Sequence, residues 1–90
     1  MNWLLIIQLI TKYGPVLADL IKNHDNNPKK WLQTTLNDVL IPSPNLVVDG
    51  IIGPATTAAI ERFQEQEGLT VDGIPGLITQ LVLTQVLKQL

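Results

Sequence analysis

Ninety residues with six basic and eight acidic side chains, a net charge of −2 and no cysteine describe one small domain. The balance excludes the clustered basic face that nucleic acid requires, and the missing cysteines exclude a disulfide or a thiolate site. The apolar mass is Leu, Ile and Val, with two Trp, one Tyr and one Phe, a composition suited to helix-on-helix packing.

The chain opens with a predicted helix over about residues 3–22, bent at Gly14-Pro15. At about 100° per residue, Gln8, Thr11, Lys12, Asp19 and Lys22 share one arc. Trp3, Ile6, Ile10, Tyr13, Leu17 and Ile21 belong to the apolar remainder, which is wider than one neighbouring helix can cover. Three readings are open: packing on both the rest of the domain and a partner or second copy, lying in a membrane interface, or serving as an extra core helix. The first is favoured, because the polar arc is not the basic-rich face that interfacial helices carry. Gln8, Lys12 and Asp19 break the segment short of the ~20 apolar residues of a bilayer span. It also reads poorly as a signal peptide, since no Lys or Arg precedes the apolar run and no small-x-small cleavage site follows it.

The second helix is expected from Asn27 as N-cap and Pro28 at the first helical position to about Leu40. Leu32, Leu36, Val39 and Leu40 form its inward stripe, and Ile41-Pro42-Ser43-Pro44 stops it. Then comes the most informative stretch. Val48-Asp49-Gly50-Ile51-Ile52-Gly53-Pro54-Ala55-Thr56 returns 23 residues on (Asp49 to Asp72) as Val71-Asp72-Gly73-Ile74-Pro75-Gly76-Leu77-Ile78-Thr79. Gly50 and Gly73 supply φ > 0, and Asp49 and Asp72 accept bonds from backbone N–H groups just downstream. Gly53 and Gly76 stand where a helix starts, with Pro54 preset for its first position. A third helix is expected over about 55–67, closed by Gly68, and a fourth over about 77–90. Leu46-Val47-Val48 and Leu69-Thr70-Val71 are short extended plugs, either a rudimentary ribbon or simple loop anchors.

Taken in order, Trp31-Leu32-Gln33-x-x-Leu36-Asn37, the two Asp-Gly turns, Ala59-Ile60-x-x-Phe63-Gln64 and Gly68-Leu69 resemble the peptidoglycan-binding domain type 1 family over about two thirds of the chain. The resemblance implies an all-α fold: a three-helix peptidoglycan-binding-like bundle with two Asp-Gly turns over 27–90, preceded here by an N-terminal amphipathic helix and polar link over 1–26. It also implies a non-catalytic module that holds a cell-wall enzyme or structure on murein. The chain departs from the family pattern at Pro75, which stands inside the second turn, at Leu77 after its last Gly, and at Gln80, where members often carry Trp. The family does not define its binding residues sharply. Gln33, Asn37, Arg62 and Gln64 are the surface groups beside the motifs expected to meet ligand.

Nothing reads as chemistry. His24 is a lone histidine in a polar link with no second ligand for a metal. Glu61, Glu65 and Glu67 read as a solvated helix face, Asp49 and Asp72 as turn closers, and Ser43 has no base beside it. No enzyme activity, cofactor or metal is expected. The fourth helix carries more apolar surface than a three-helix module needs, so Leu83 and Leu87 join Trp3, Ile6, Ile10, Tyr13, Leu17 and Ile21 as the expected partner interface. Two functions follow from different classes: a murein-binding module that recruits a partner, or an intracellular or virion assembly subunit self-associating through its first and last helices without binding murein. Localisation is open between the cell envelope, the cytoplasm and a virion.

Overall fold

In the computed structural model, residues 27–90 are described together with residues 4, 7, 8, 11, 12 and 14 of the N-terminal stretch. Each helix begins where local chemistry starts it. Helix α1 (Pro28–Val39) is capped by the Asn27 side chain, whose Oδ1 accepts from Lys30 N–H at 3.1 Å. Its end is set by Leu40, which turns extended while its N–H still reaches Leu36 O. Helices α2 (Pro54–Gln66) and α3 (Leu77–Lys88) begin at extended Gly53 and Gly76, neither of which offers a side-chain cap.

The close of α2 is a Schellman motif. Gly68 adopts φ +69°, its N–H bonds Glu65 O, and the N–H of Leu69 reaches back to Gln64 O at 2.8 Å. Gly68 thus stops the helix as its position predicts.

Helix α1 packs against both other helices, more extensively against α3. The core draws on each stripe: Leu32, Leu36, Val39 and Leu40 from α1; Ala59, Ile60 and Phe63 from α2; Leu81, Val82 and Leu83 from α3; and Leu46 from the first loop. Burying one such Leu, Ile or Phe contributes about 1.5–3 kcal/mol before entropy. Residues 27–90 form three helices, no strand occurs among the described residues, and the fold is an all-α three-helix bundle. The two plugs are loop anchors rather than a ribbon.

The six described residues before Asn27 are helical, and Thr11 Oγ1 donates to Ile7 O at 2.8 Å. Lys12 lines a cavity of about 320 Å³ together with Glu67, Leu69, Val82, Gln85, Val86 and Gln89, so Lys12 lies beside α3. Trp3, Ile6, Ile10, Tyr13, Leu17, Ile21, the Gly14-Pro15 bend and His24 lie wholly or partly outside the described residues. Leu83 corrects the expectation of an open partner surface: it is fully buried in the core, with Leu87 packed partly exposed against it. Among the described residues no helix is long and apolar enough to cross a membrane.

Candidate binding site

The two Asp-Gly turns have the same backbone shape. Gly50 has φ +76° and Gly73 φ +70°, a left-handed conformation that a Cβ would penalise. Asp49 Oδ1 accepts from Ile51 N–H at 2.9 Å, and Asp72 Oδ1 from Ile74 N–H at 2.9 Å. Each carboxyl is held below its ordinary pKa first by that backbone bond and then by a glutamine amide.

Those glutamines are Gln33 and Gln64, and their placement is the main correction to the sequence reading. Both were expected on the surface facing a ligand; each is only 1 % exposed and faces its turn. Gln33 Nε2 donates to Asp49 Oδ1 (3.0 Å), Ile51 O (2.9 Å) and Thr56 Oγ1 (3.2 Å). Its Oε1 accepts from the N–H groups of Asp49 (3.0 Å) and Gly50 (2.8 Å). Gln64 repeats the set bond for bond. Nε2 donates to Asp72 Oδ1 (2.8 Å), Ile74 O (3.0 Å) and Thr79 Oγ1 (3.2 Å), and Oε1 accepts from Asp72 N–H (3.1 Å) and Gly73 N–H (3.0 Å). Only this orientation of the amide works, because a flip would set oxygen against carboxylate and NH₂ against N–H. Each amide's two N–H donors are shared among three acceptors, and both lone pairs of its oxygen are engaged. Each glutamine therefore locks a turn onto the preceding helix and, through the threonine, onto the helix that follows.

This role was missed because the helix-to-turn distance differs between copies. Gln33 and Asp49 are 16 residues apart, Gln64 and Asp72 only 8. A comparison at the fixed 23-residue offset pairs the aspartates and threonines but never the glutamines. The usable signal was a polar residue in an apolar stripe: Gln33 directly follows core Leu32, and Gln64 follows Phe63 one turn after Ile60.

Asn37 is half-buried and anchors the longer first loop. Its Nδ2 donates to Leu46 O at 3.0 Å, and its Oδ1 accepts from Leu46 N–H at 2.7 Å. Leu69, the counterpart of Leu46, gets the same N–H anchorage from the Schellman bond to Gln64 O. One side chain thus replaces a helix cap where eight more residues intervene. Arg62 is half-buried on α2. Gln80, at the family's Trp position, donates from Nε2 to Pro75 O at 2.6 Å and ties α3 to the altered second turn.

Beside each turn lies a groove, and the two are built from the same repeat. About 240 Å³ opens among Leu46, Val47, Asp49, Ile51, Gly53, Pro54, Ala55 and Thr56, with Gln33 behind them. About 610 Å³ opens among Leu69, Thr70, Asp72, Ile74, Gly76, Leu77, Ile78 and Thr79, with Gly68 at its edge. Eight of the nine lining positions in one groove match the other at the 23-residue offset. Among the described residues no cluster of His, Asp and Glu could hold a metal ion.

The repeated turns, their order and their spacing agree with a family match over residues 26–83, to the model described as "Putative peptidoglycan binding domain". The chain belongs to the peptidoglycan-binding domain family. It is 56% identical over 34 residues to the zinc D-Ala-D-Ala carboxypeptidase of Streptomyces albus G, covering 38% of this chain and 13% of that enzyme. It is 37% identical over 73 residues to an uncharacterized protein in the bpoA1 3′ region of Kitasatospora aureofaciens, covering 80% of this chain and 60% of that protein. The chain thus spans less than two thirds of either relative's length. No solved structure gives a significant match. Within this peptidoglycan-binding domain, the glutamine latches explain why Leu32-Gln33 and Phe63-Gln64 accompany the Asp-Gly turns.

Proposed function

We propose that this peptidoglycan-binding domain is a non-catalytic module that attaches a partner to murein. The observation that carries the reading is the family match over residues 26–83. The geometry is consistent with it: two latched turns hold two open grooves, and the glutamine amides beside them are consumed by structure. The carboxypeptidase match covers a small fraction of that enzyme, so its named activity belongs to a protein most of which lies outside the match. Of the four groups first considered for ligand contact, Arg62 and Asn37 retain some exposure, and Arg62 is the one whose guanidinium makes no hydrogen bond or ion pair within the described structure.

The test is co-sedimentation of the full chain with purified, protein-free sacculi. Binding that saturates, and that Arg62→Ala weakens without changing helical content, supports the reading. Failure to sediment at any salt concentration refutes it.

A second reading rests on Leu4 and Ile7, one helical turn apart and 65% and 57% exposed, as an assembly surface. Light scattering separates the two. A concentration-dependent oligomer that Leu4→Lys with Ile7→Lys dissolves, without any sedimentation on sacculi, favours assembly.

A further inference from the structure

The two latches are alike bond for bond, yet the grooves beside them are not. Folding requires the latch; it does not dictate the wall. Where the first groove has Pro54 and Ala55, the second has Leu77 and Ile78, and Val47 is replaced by Thr70. The second groove is more than twice as large, at about 610 against 240 Å³. It presents Ile74 and Leu77 at 61% and 55% exposure, apolar surface that no element of the described fold covers.

The charges differ as well. Three residues before each latch glutamine, a side chain packs over the turn glycine: Lys30 over Gly50 and Glu61 over Gly73. Lys30 adds slightly to holding Asp49 ionised, whereas among the described residues no cation acts on Asp72. Asp72 Oδ1 is occupied by Ile74 N–H and Gln64, while its second oxygen takes no hydrogen bond from the described residues. The larger groove therefore combines apolar walls, the exposed Thr70 hydroxyl, and a carboxylate with no cationic partner among the described residues. Among the described residues no aromatic side chain lines either groove to lie against a sugar ring.

From this complementarity we infer that the groove beside the second turn takes the peptide portion of murein, with its methyl-bearing backbone along Ile74, Leu77 and Ile78 and a side-chain ammonium toward Asp72. This rests on the murein reading above. Few polar groups in a mainly apolar groove fix orientation, and the carboxylate selects a cation. The first groove is smaller, has Lys30 beside its turn, and is the structural copy.

The experiment is an NMR titration of amide resonances in the full chain with three soluble probes. They are a murein stem peptide with a free side-chain amine, the same peptide acetylated on that amine, and peptide-free murein glycan. The free-amine peptide is expected to move Ile74, Leu77 and Ile78, and acetylation to weaken it roughly tenfold. The double variant Leu77→Pro and Ile78→Ala rebuilds the wall of the first groove, which the fold already accommodates once. It is expected to weaken the peptide about tenfold, the range for lost methylenes in an apolar site, with cooperative unfolding retained. Glu61→Lys supplies the cation that the first turn has, and should weaken the free-amine peptide but not the acetylated one. Equal response to the glycan, shifts centred on Ala55 and Thr56, or indifference to acetylation would overturn the inference. If the chain sediments with sacculi but the stem peptide leaves Ile74 to Ile78 unmoved, this inference falls and the murein reading stands. If the chain does not sediment, both fall.

Discussion

Gln64 grips Asp72 from both sides of one residue: Nε2 donates to its carboxylate at 2.8 Å while Oε1 accepts from its backbone N–H at 3.1 Å. A single buried amide thereby fixes the position of the turn and the rotamer of the acid that closes it. Gln33 does the same to Asp49. Removal of either amide strands several groups at once, and this leads to the first expectation.

Gln64→Ala should cost roughly 3 kcal/mol or more, since two backbone N–H groups and a carbonyl lose their partner and each group left unsatisfied costs about 1–3 kcal/mol. In a domain with about 5–15 kcal/mol in total, that is a large share. Gln64→Glu should be worse at neutral pH, because it sets a carboxylate against Asp72, and should recover partly as the pH is lowered toward the carboxylate pKa values. Urea unfolding at two pH values measures both. A Gln64→Ala variant as stable as the parent would show that the latch does not hold the turn.

Acid should loosen both turns. Asp49 and Asp72 have folded pKa values below those of the unfolded chain, first through the N–H groups of Ile51 and Ile74. A depressed acid adds stability that is fully present above the unfolded value of about 3.9 and is lost as pH falls through the folded one. Thermal unfolding followed from pH 7 down to 2 should hold level until about pH 5 and then decline. Asp72→Asn should start lower and decline less. A steeper acid decline in Asp72→Asn than in the parent contradicts this sign.

The glycines should separate by backbone and by space. Gly73→Ala meets both a left-handed φ and Thr57 Cγ2 at 3.0 Å, whereas Gly50→Ala meets the φ penalty with its nearest neighbour, Lys30 Cγ, at an ordinary 3.5 Å. The left-handed cost is about 1–2 kcal/mol for each, with more for Gly73. Gly53 has φ −99° and open space around it, so Gly53→Ala should cost only about 0.5–1 kcal/mol, the loss of an N-cap glycine to a poorer capping residue. Melting temperatures in the order Gly53→Ala, Gly50→Ala, Gly73→Ala, highest first, check the argument.

Asn37→Ala should release Leu46 and the loop before the first turn, at about 1–3 kcal/mol for the two lost bonds. Asn37→Asp keeps an acceptor for Leu46 N–H but turns an oxygen toward Leu46 O, so it should not rescue. Hydrogen exchange at Leu46 N–H should rise in both variants, while that at Leu69, held by the helix end, stays unchanged.

The helices, the two turns and the family were legible in the residues. Asn27-Pro28, Gly53-Pro54, Gly68 and the two Asp-Gly pairs act through local sterics and short-range hydrogen bonds, which depend on neighbours in the chain. The grooves and latches were not legible, and Gln33, Gln64 and Leu83 were misplaced on the outside. The hydrogen-bond partners of the two glutamines lie 8 to 23 residues away, at spacings that differ between the copies. The sequence by itself settled where the chain bends, where its helices begin and that it was written twice. Only tertiary structure decided which polar side chains went inside, because burial of an amide is favourable solely where packing gathers all its donors and acceptors around it.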